Sequence, residues 1–379
     1  MLNAHGGRGG PPYIRCAFLA IGAVAIAACD GSIAGGTQDG VDDIGHVGLD
    51  GAVRNPGDAQ LPVDRDGNVV GGDGSVTAND GGNGGGGGGT GPQVDRSNPS
   101  LHDFKLNPKE IDPAASQFLA DGYASLDTRA APLGKLVVFL PGHNNVPNDW
   151  HAHGIALASL GFHVVIPKYD NEWEGCSGQA CGGKTRWEAL TGEDLSSAIS
   201  ISRADSAEGR AIAMLKYLAT NDPGGDWGYY LDGDDALHTE DVIIAGISHG
   251  SGSAAVYGMR RPVWRVVMHS GGNFDTGGWL TAPYVTPPEK FFALEHTADD
   301  TDGIIRLFWS QLKIPGAPTS VDGASAPYGG SHQLQTSIQS SYPHGSTCGN
   351  NSFSPKDANG KFVLLPAWAY MYGVDELTK

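Results

Sequence analysis

The distribution of apolar and polar positions changes near residue 98. From there onward, short apolar runs alternate with stretches whose apolar residues recur every three or four positions, which is strand alternating with helix. That alternation predicts an α/β domain, a mostly parallel central sheet with helices on both faces. Strands are expected at 136–140, 162–166, 241–247, 263–268 and 291–295. The first runs into Pro141-Gly142 and the second into Pro167, both of which stop a strand. Helices are expected at 150–160, 206–220, 249–259, 301–312 and 364–372, with Ile212, Leu215 and Leu218 on one side of the second. Residues 169–202 show neither period, and with several glycines, a Trp and a close Cys pair they read as a loop or cap.

The first 97 residues carry a different pattern. Arg8 and Arg15 precede an apolar stretch at 16–28 that is too short to span a bilayer comfortably, so residues 1–28 read as an export signal. Its end, Ile26-Ala-Ala-Cys29-Asp30, resembles the lipobox of bacterial lipoproteins. That resemblance implies cleavage before Cys29, lipidation of Cys29 and anchorage to the cell envelope, at the periplasmic or the outer surface. Residues 29–97 are poor in apolar side chains, rich in Asp without any Glu, and contain the glycine run 84–89. Such a segment buries too little apolar surface to offset chain entropy and is expected to act as a flexible tether. Its glycines have no period of three, which excludes collagen. A calcium loop at 64–68 is disfavoured because the spacing occurs once and lacks a bidentate Glu.

Composition narrows the partners. The chain carries 42 acidic and 24 basic residues, a formal charge of -18, with no basic cluster, so nucleic acid is excluded as a partner. With Cys16 removed in the signal and Cys29 acylated, Cys176, Cys181 and Cys348 remain. A local disulfide between Cys176 and Cys181 is expected in an exported chain, and the role of Cys348 is open. The pair His151 and His153 lacks the spacing that puts two ligands on one helical face, and no metal or other cofactor is expected. Trp173, Trp187, Trp227, Tyr229 and Tyr230 either line an aromatic pocket or serve as packing.

The chemistry concentrates at Gly246-Ile-Ser248-His249-Gly250, where an apolar strand breaks and continues as a small-residue helix. In G-x-S-x-G, a serine on so tight a strand-to-helix turn is lifted out of the sheet, and the flanking glycines remove side chains that would collide. The chain has 58 glycines, so the motif draws its weight from the strand before it and the helix after it.

This motif within strand-helix alternation resembles the α/β-hydrolase superfamily from about residue 136 to the C-terminus. The resemblance implies a Ser, Asp or Glu, His order along the chain, with the acid in the turn after a later strand. Behind the strand at 291–295, His296-Thr-Ala-Asp299-Asp300-Thr-Asp302 supplies carboxylates; Asp299 is preferred and Asp300 is the alternative. Of 13 histidines only His332 and His344 lie beyond it, and His344, in a turn-rich loop near the last helix, is favoured over His332. An oxyanion hole would take the backbone N–H of His249 and a second from His143 or Asn144. The expectation is an exported serine hydrolase, cleaving small-molecule or polymeric esters through an acyl-enzyme and tethered to a membrane by lipid. The alternatives are a polyester depolymerase or peptidase of the same fold, or a non-catalytic surface-binding lipoprotein on that scaffold.

Overall fold

A computed structural model describes residues 91–173, 181–233, 235–271, 278–281 and 283–379. The signal, Cys29 and nearly all of the proposed tether lie outside the described residues, as does Cys176. Among the described residues nine strands form one sheet: β1 (Leu101–Leu106), β2 (Gly122–Asp127), β3 (Leu136–Leu140), β4 (His163–Ile166), β5 (Val242–Ile247), β6 (Arg265–His269), β7 (Phe291–His296), β8 (Thr319–Ser320) and β9 (Gln333–Thr336). Their spatial order is β1-β2-β4-β3-β5-β6-β7-β9-β8. β1, β2 and β4 pair antiparallel, and every pairing from β4 through β3 to β8 is parallel. The expected α/β architecture with a mostly parallel sheet is therefore present.

The helices are α1 (Pro108–Ile111), α2 (His151–Ala158), α3 (Cys181–Thr191), α4 (Ala207–Asn221), α5 (His249–Arg260), α6 (Asp302–Gln311), α7 (Pro343–Ser346), α8 (Leu365–Met371) and α9 (Val374–Leu377). Alternate residues of one strand serve opposite faces of the sheet. Leu136, Val138 and Leu140 of β3 pack with α4, α5 and α6 residues such as Leu215, Val256 and Phe308. Val137 and Phe139 pack instead with Leu157 of α2 and Trp368 of α8. Both faces are thus covered, which is why the central strands read as unbroken apolar runs. Ser206 starts α4 by accepting the Gly209 N–H at 3.1 Å through its hydroxyl, satisfying one amide that the first turn leaves unpaired.

The folded part begins earlier than residue 98. The Gln93 N–H donates to Asp226 Oδ2 at 2.7 Å, the Asp95 N–H to Gly224 O at 2.7 Å, and Arg96 Nε to Thr128 O at 3.0 Å. These residues form no regular element, so composition alone assigns them to the tether, but the domain holds them through the backbone N–H groups of Gln93 and Asp95 and the Arg96 side chain.

Candidate active site

Because β3, β5, β6 and β7 are parallel, their C-terminal ends lie on one edge of the sheet. The chain order changes direction at β3, with β4 on one side and β5 on the other. A crevice opens beyond the strand ends at such a switch point, and this is where open α/β sheets bind ligands. His269 is the last residue of β6, and the segments leaving β3, β5 and β7 contain His143, Ser248 and Asp299.

Ser248 connects β5 directly to α5 and adopts φ 55°, ψ -118°. Positive φ on a residue with a side chain costs roughly 1–3 kcal/mol and persists only where the surroundings impose it. They do so here. A Cβ on Gly250 would stand 2.1 Å from Leu140 O, and one on Gly246 would stand 2.4 Å from Gly250 O. Only a strand and helix packed backbone to backbone allow this turn, and both glycines of the motif are required by contact. The Ser248 N–H donates to His269 O at 2.9 Å, which ties the turn to the end of β6.

Asp299 follows β7 and is buried, and its Oδ2 accepts His344 Nδ1 at 2.6 Å. Its other oxygen accepts the Thr301 N–H at 2.9 Å and the Thr301 hydroxyl at 2.7 Å. Burial by itself would raise the carboxyl pKa, but the bonds from His344 and Thr301 outweigh it and hold Asp299 below the usual range. With Nδ1–H given to Asp299, the imidazole leaves Nε2 to accept a proton. Ser248 and Asp299 leave β5 and β7, two strands apart and so roughly 10 Å at ordinary strand spacing.

The remaining carboxylates and the other histidine serve elsewhere. Asp300 is exposed, and Asp302 opens α6 and pairs with Arg306. His332 stacks on Phe292 with ring centroids 3.7 Å apart, and its Nδ1 donates to Phe291 O at 3.2 Å. Phe291 begins β7, so His332 lies at the opposite edge of the sheet from Asp299. The alternative that pairs His332 with the acid does not fit this geometry.

His249 is the first residue of α5, and its N–H has no acceptor within the helix. Asn144 does not fit the oxyanion role expected of it or of His143, because its N–H donates to Asn171 O at 3.1 Å and is spent on the neighbouring loop. Asn171 also donates through Nδ2 to Gly142 O and, at 2.9 Å, to Asn145 O, while Lys168 Nζ donates to Asn171 Oδ1 at 2.5 Å. Lys168 and Asn171 thus hold the loop after β3 in place. Neither stood out in the sequence, because each is an ordinary polar residue just beyond a strand.

Of the five aromatic residues named above, Trp173 alone lies beside the elbow, its ring centroid 4.7 Å from that of His249 at 75°. Trp227 and Tyr230 pack around His163 at the start of β4, Tyr229 donates to Asp241 just before β5, and Trp187 packs on Tyr257 of α5. Those four are packing. His249 is half-buried with both ring nitrogens shielded from water, and burial, then Arg186 and His143, push its pKa well down. Arg186 of α3 donates to His249 O at 2.7 Å and to Ser253 Oγ at 3.0 Å, bracing the first turn of α5 from the region that lacked a readable period.

His151 and His153 separate as expected. His151 Nε2 lies 2.8 Å from Asp103 Oδ1, whereas His153 is buried with His269 and Cys348, their ligand-type atoms all within 4.8 Å of one another. All four ring nitrogens of His153 and His269 already have hydrogen-bond partners. The group is therefore a satisfied polar cluster, with Cys348 as a buried free thiol at its side. Compared with protein-family models and with curated proteins, the chain matches none.

Proposed function

We propose that this protein is a serine hydrolase of the α/β-hydrolase type that cleaves carboxylic esters. The observation that carries this reading is the 2.6 Å bond from His344 to buried Asp299, formed at the sheet edge where Ser248 stands on a strained strand-to-helix turn. The parallel order β4-β3-β5-β6-β7-β9, with the serine after β5 and the acid after β7, supports the same assignment.

In this reading Ser248 Oγ attacks the ester carbonyl carbon while His344 Nε2 takes its proton. The charge on the carbonyl oxygen falls to the N–H groups of His249 and His143, each such donor contributing about 2.7–4 kcal/mol. Collapse breaks the bond to the alcohol, which leaves with the proton from His344, and water repeats the sequence on the acyl-enzyme. Asp299 keeps His344 in the tautomer that makes Nε2 the base, and stabilises the imidazolium. The lipobox-like Cys29 and the Asp/Gly-rich segment of the sequence support a cell-envelope location for this activity, held by lipid.

Turnover of p-nitrophenyl acetate and butyrate by the full chain tests the reading. The expected result is hydrolysis that Ser248→Ala removes, and equal rates in the two proteins would overturn it.

A further inference from the structure

Beneath the elbow lies a line of buried hydrogen bonds whose direction can be followed from end to end. The Gly349 N–H donates to His153 Nδ1 at 3.1 Å, so the proton of this neutral ring sits on Nε2, 3.2 Å from the Tyr372 hydroxyl oxygen. At the far end, His269 Nδ1 faces the Thr347 carbonyl at 3.0 Å, and a carbonyl only accepts, so Nδ1 carries the proton. His269 Nε2 is then an acceptor, and the Tyr372 hydroxyl, 3.1 Å away, donates to it. Every donor meets an acceptor from Gly349 through His153, Tyr372 and His269 to Thr347. His153, His269 and Tyr372 are fully buried, and burial pushes the His153 pKa well down and the His269 pKa to about 3, which favours the neutral form of both rings.

The two ends of this line lie two residues apart, in the segment that follows His344. The line therefore clamps Thr347–Gly349 against the sheet, and Trp368 Nε1 adds a second donor to Thr347 O at 2.8 Å. The Thr347 hydroxyl meets Ser270 Oγ at 2.9 Å. The other half of the clamp is the nucleophile. His269 accepts the Ser248 N–H through its carbonyl at 2.9 Å, and its own N–H donates to Ser251 Oγ of α5 at 3.0 Å. One residue at the end of β6 thus holds the serine turn with its backbone and the histidine segment with its ring.

We propose that Tyr372, through the line His153–Tyr372–His269–Thr347, is a positioning residue for the reaction, setting the distance between Ser248 and His344. The proposal rests on the hydrolase reading above and extends it to three side chains that touch no substrate. A buried polar network with every member satisfied has one arrangement, whereas one with a missing member relaxes. Displacement of a catalytic group by about 1 Å can cost on the order of 100-fold in rate.

The test uses the full chain with Tyr372→Phe, which removes the hydroxyl and keeps the ring, and Trp368→Phe, which removes the second donor to Thr347. Leu218→Ala, on the opposite face of the sheet, serves as a control that lowers stability without touching the line. The kcat and KM for p-nitrophenyl acetate are measured well below each protein's melting temperature, together with the rate of Ser248 modification by a fluorophosphonate. Expected are a fall in kcat and in modification rate of tenfold or more for Tyr372→Phe, a smaller fall for Trp368→Phe, KM within twofold, and an unchanged kcat for Leu218→Ala. Should Tyr372→Phe fail to fold, Trp368→Phe carries the same comparison. Rates within twofold of wild type in the aromatic variants, or an equal loss in Leu218→Ala, would overturn the proposal. That failure is distinct from failure of the hydrolase reading, in which wild type itself would show no turnover beyond Ser248→Ala.

Discussion

His344 donates through Nδ1 to the buried carboxylate of Asp299 at 2.6 Å, and the two residues come together from positions 45 apart in the chain. The bond is charge-assisted and short, and Thr301 donates to the other oxygen of Asp299 through its N–H and its hydroxyl. Asp299→Asn keeps the shape but presents an amide that can impose the wrong tautomer on His344. A loss of roughly 10³–10⁴ in kcat is expected, with little change in KM. The carboxyl is held below its ordinary value, so its stabilisation is present above the unfolded pKa and is lost as pH falls through the folded pKa. The difference in melting temperature between wild type and Asp299→Asn should therefore be full at neutral pH and vanish in strong acid. A constant difference across that range would contradict the assignment.

The two C-terminal histidines make opposite predictions. His344→Ala removes the proposed base and should abolish ester turnover. His332→Ala, at the far edge of the sheet, should leave kcat within about twofold and show only the modest stability loss of an aromatic stack, about 0.5–1.5 kcal/mol. Paired rate measurements decide it, and loss of activity only in His332→Ala would refute the arrangement.

Gly250→Ala probes the elbow itself. The added carbon would lie 2.1 Å from Leu140 O and 2.7 Å from Pro141 O, both backbone atoms that cannot move aside cheaply. A stability loss of about 1–3 kcal/mol or more is expected. The loss should come with disproportionate loss of activity, since the same shift moves Ser248. Thermal melting and kcat together test this, and an active, fully stable variant would mean that the turn is less constrained than its contacts require.

Glu295 is buried in β7, with Oε1 accepting Gln335 Nε2 at 2.6 Å and Oε2 without a hydrogen-bond partner among the described residues. Burial raises its carboxyl to about 7, against the opposing effects of Gln335 and Arg306. The folded state then holds a proton that the unfolded state has released. Stability is full below the unfolded value of 4.5 and falls as pH rises through about 7. The total is on the order of 3 kcal/mol at one pKa step per 1.36 kcal/mol. Glu295→Gln should flatten this slope and exceed wild type in melting temperature above pH 7. Parallel pH profiles for the two proteins would contradict it.

The central strands and the elbow were legible because both faces of β3, β5, β6 and β7 are buried, so apolar runs and strand positions coincide. β1, β2 and β9 were not. β1 is a partly exposed edge strand, Leu-His-Asp-Phe-Lys-Leu, and β2 is buried but built from Gly-Tyr-Ala-Ser-Leu-Asp, with too little apolar content to register. β9, Gln-Leu-Gln-Thr, buries Gln333 by giving its amide to Ile314 O at 2.7 Å and Gly316 O at 3.0 Å, so its polarity hides its burial. At the site, Ser248, Asp299 and His344 were readable because motif and chain order point to them. Lys168, Asn171, Arg186, His269 and Tyr372 act by tertiary contact alone, and no local spacing marks them.

The proposed chemistry requires Ser248 to be an activated nucleophile. The most direct measurement is covalent labelling of the full chain with a fluorophosphonate probe, followed by peptide mapping. The predicted result is one adduct on Ser248, formed in wild type and strongly slowed in His344→Ala. No adduct, an adduct on another residue, or equal labelling of the His344→Ala protein would contradict it.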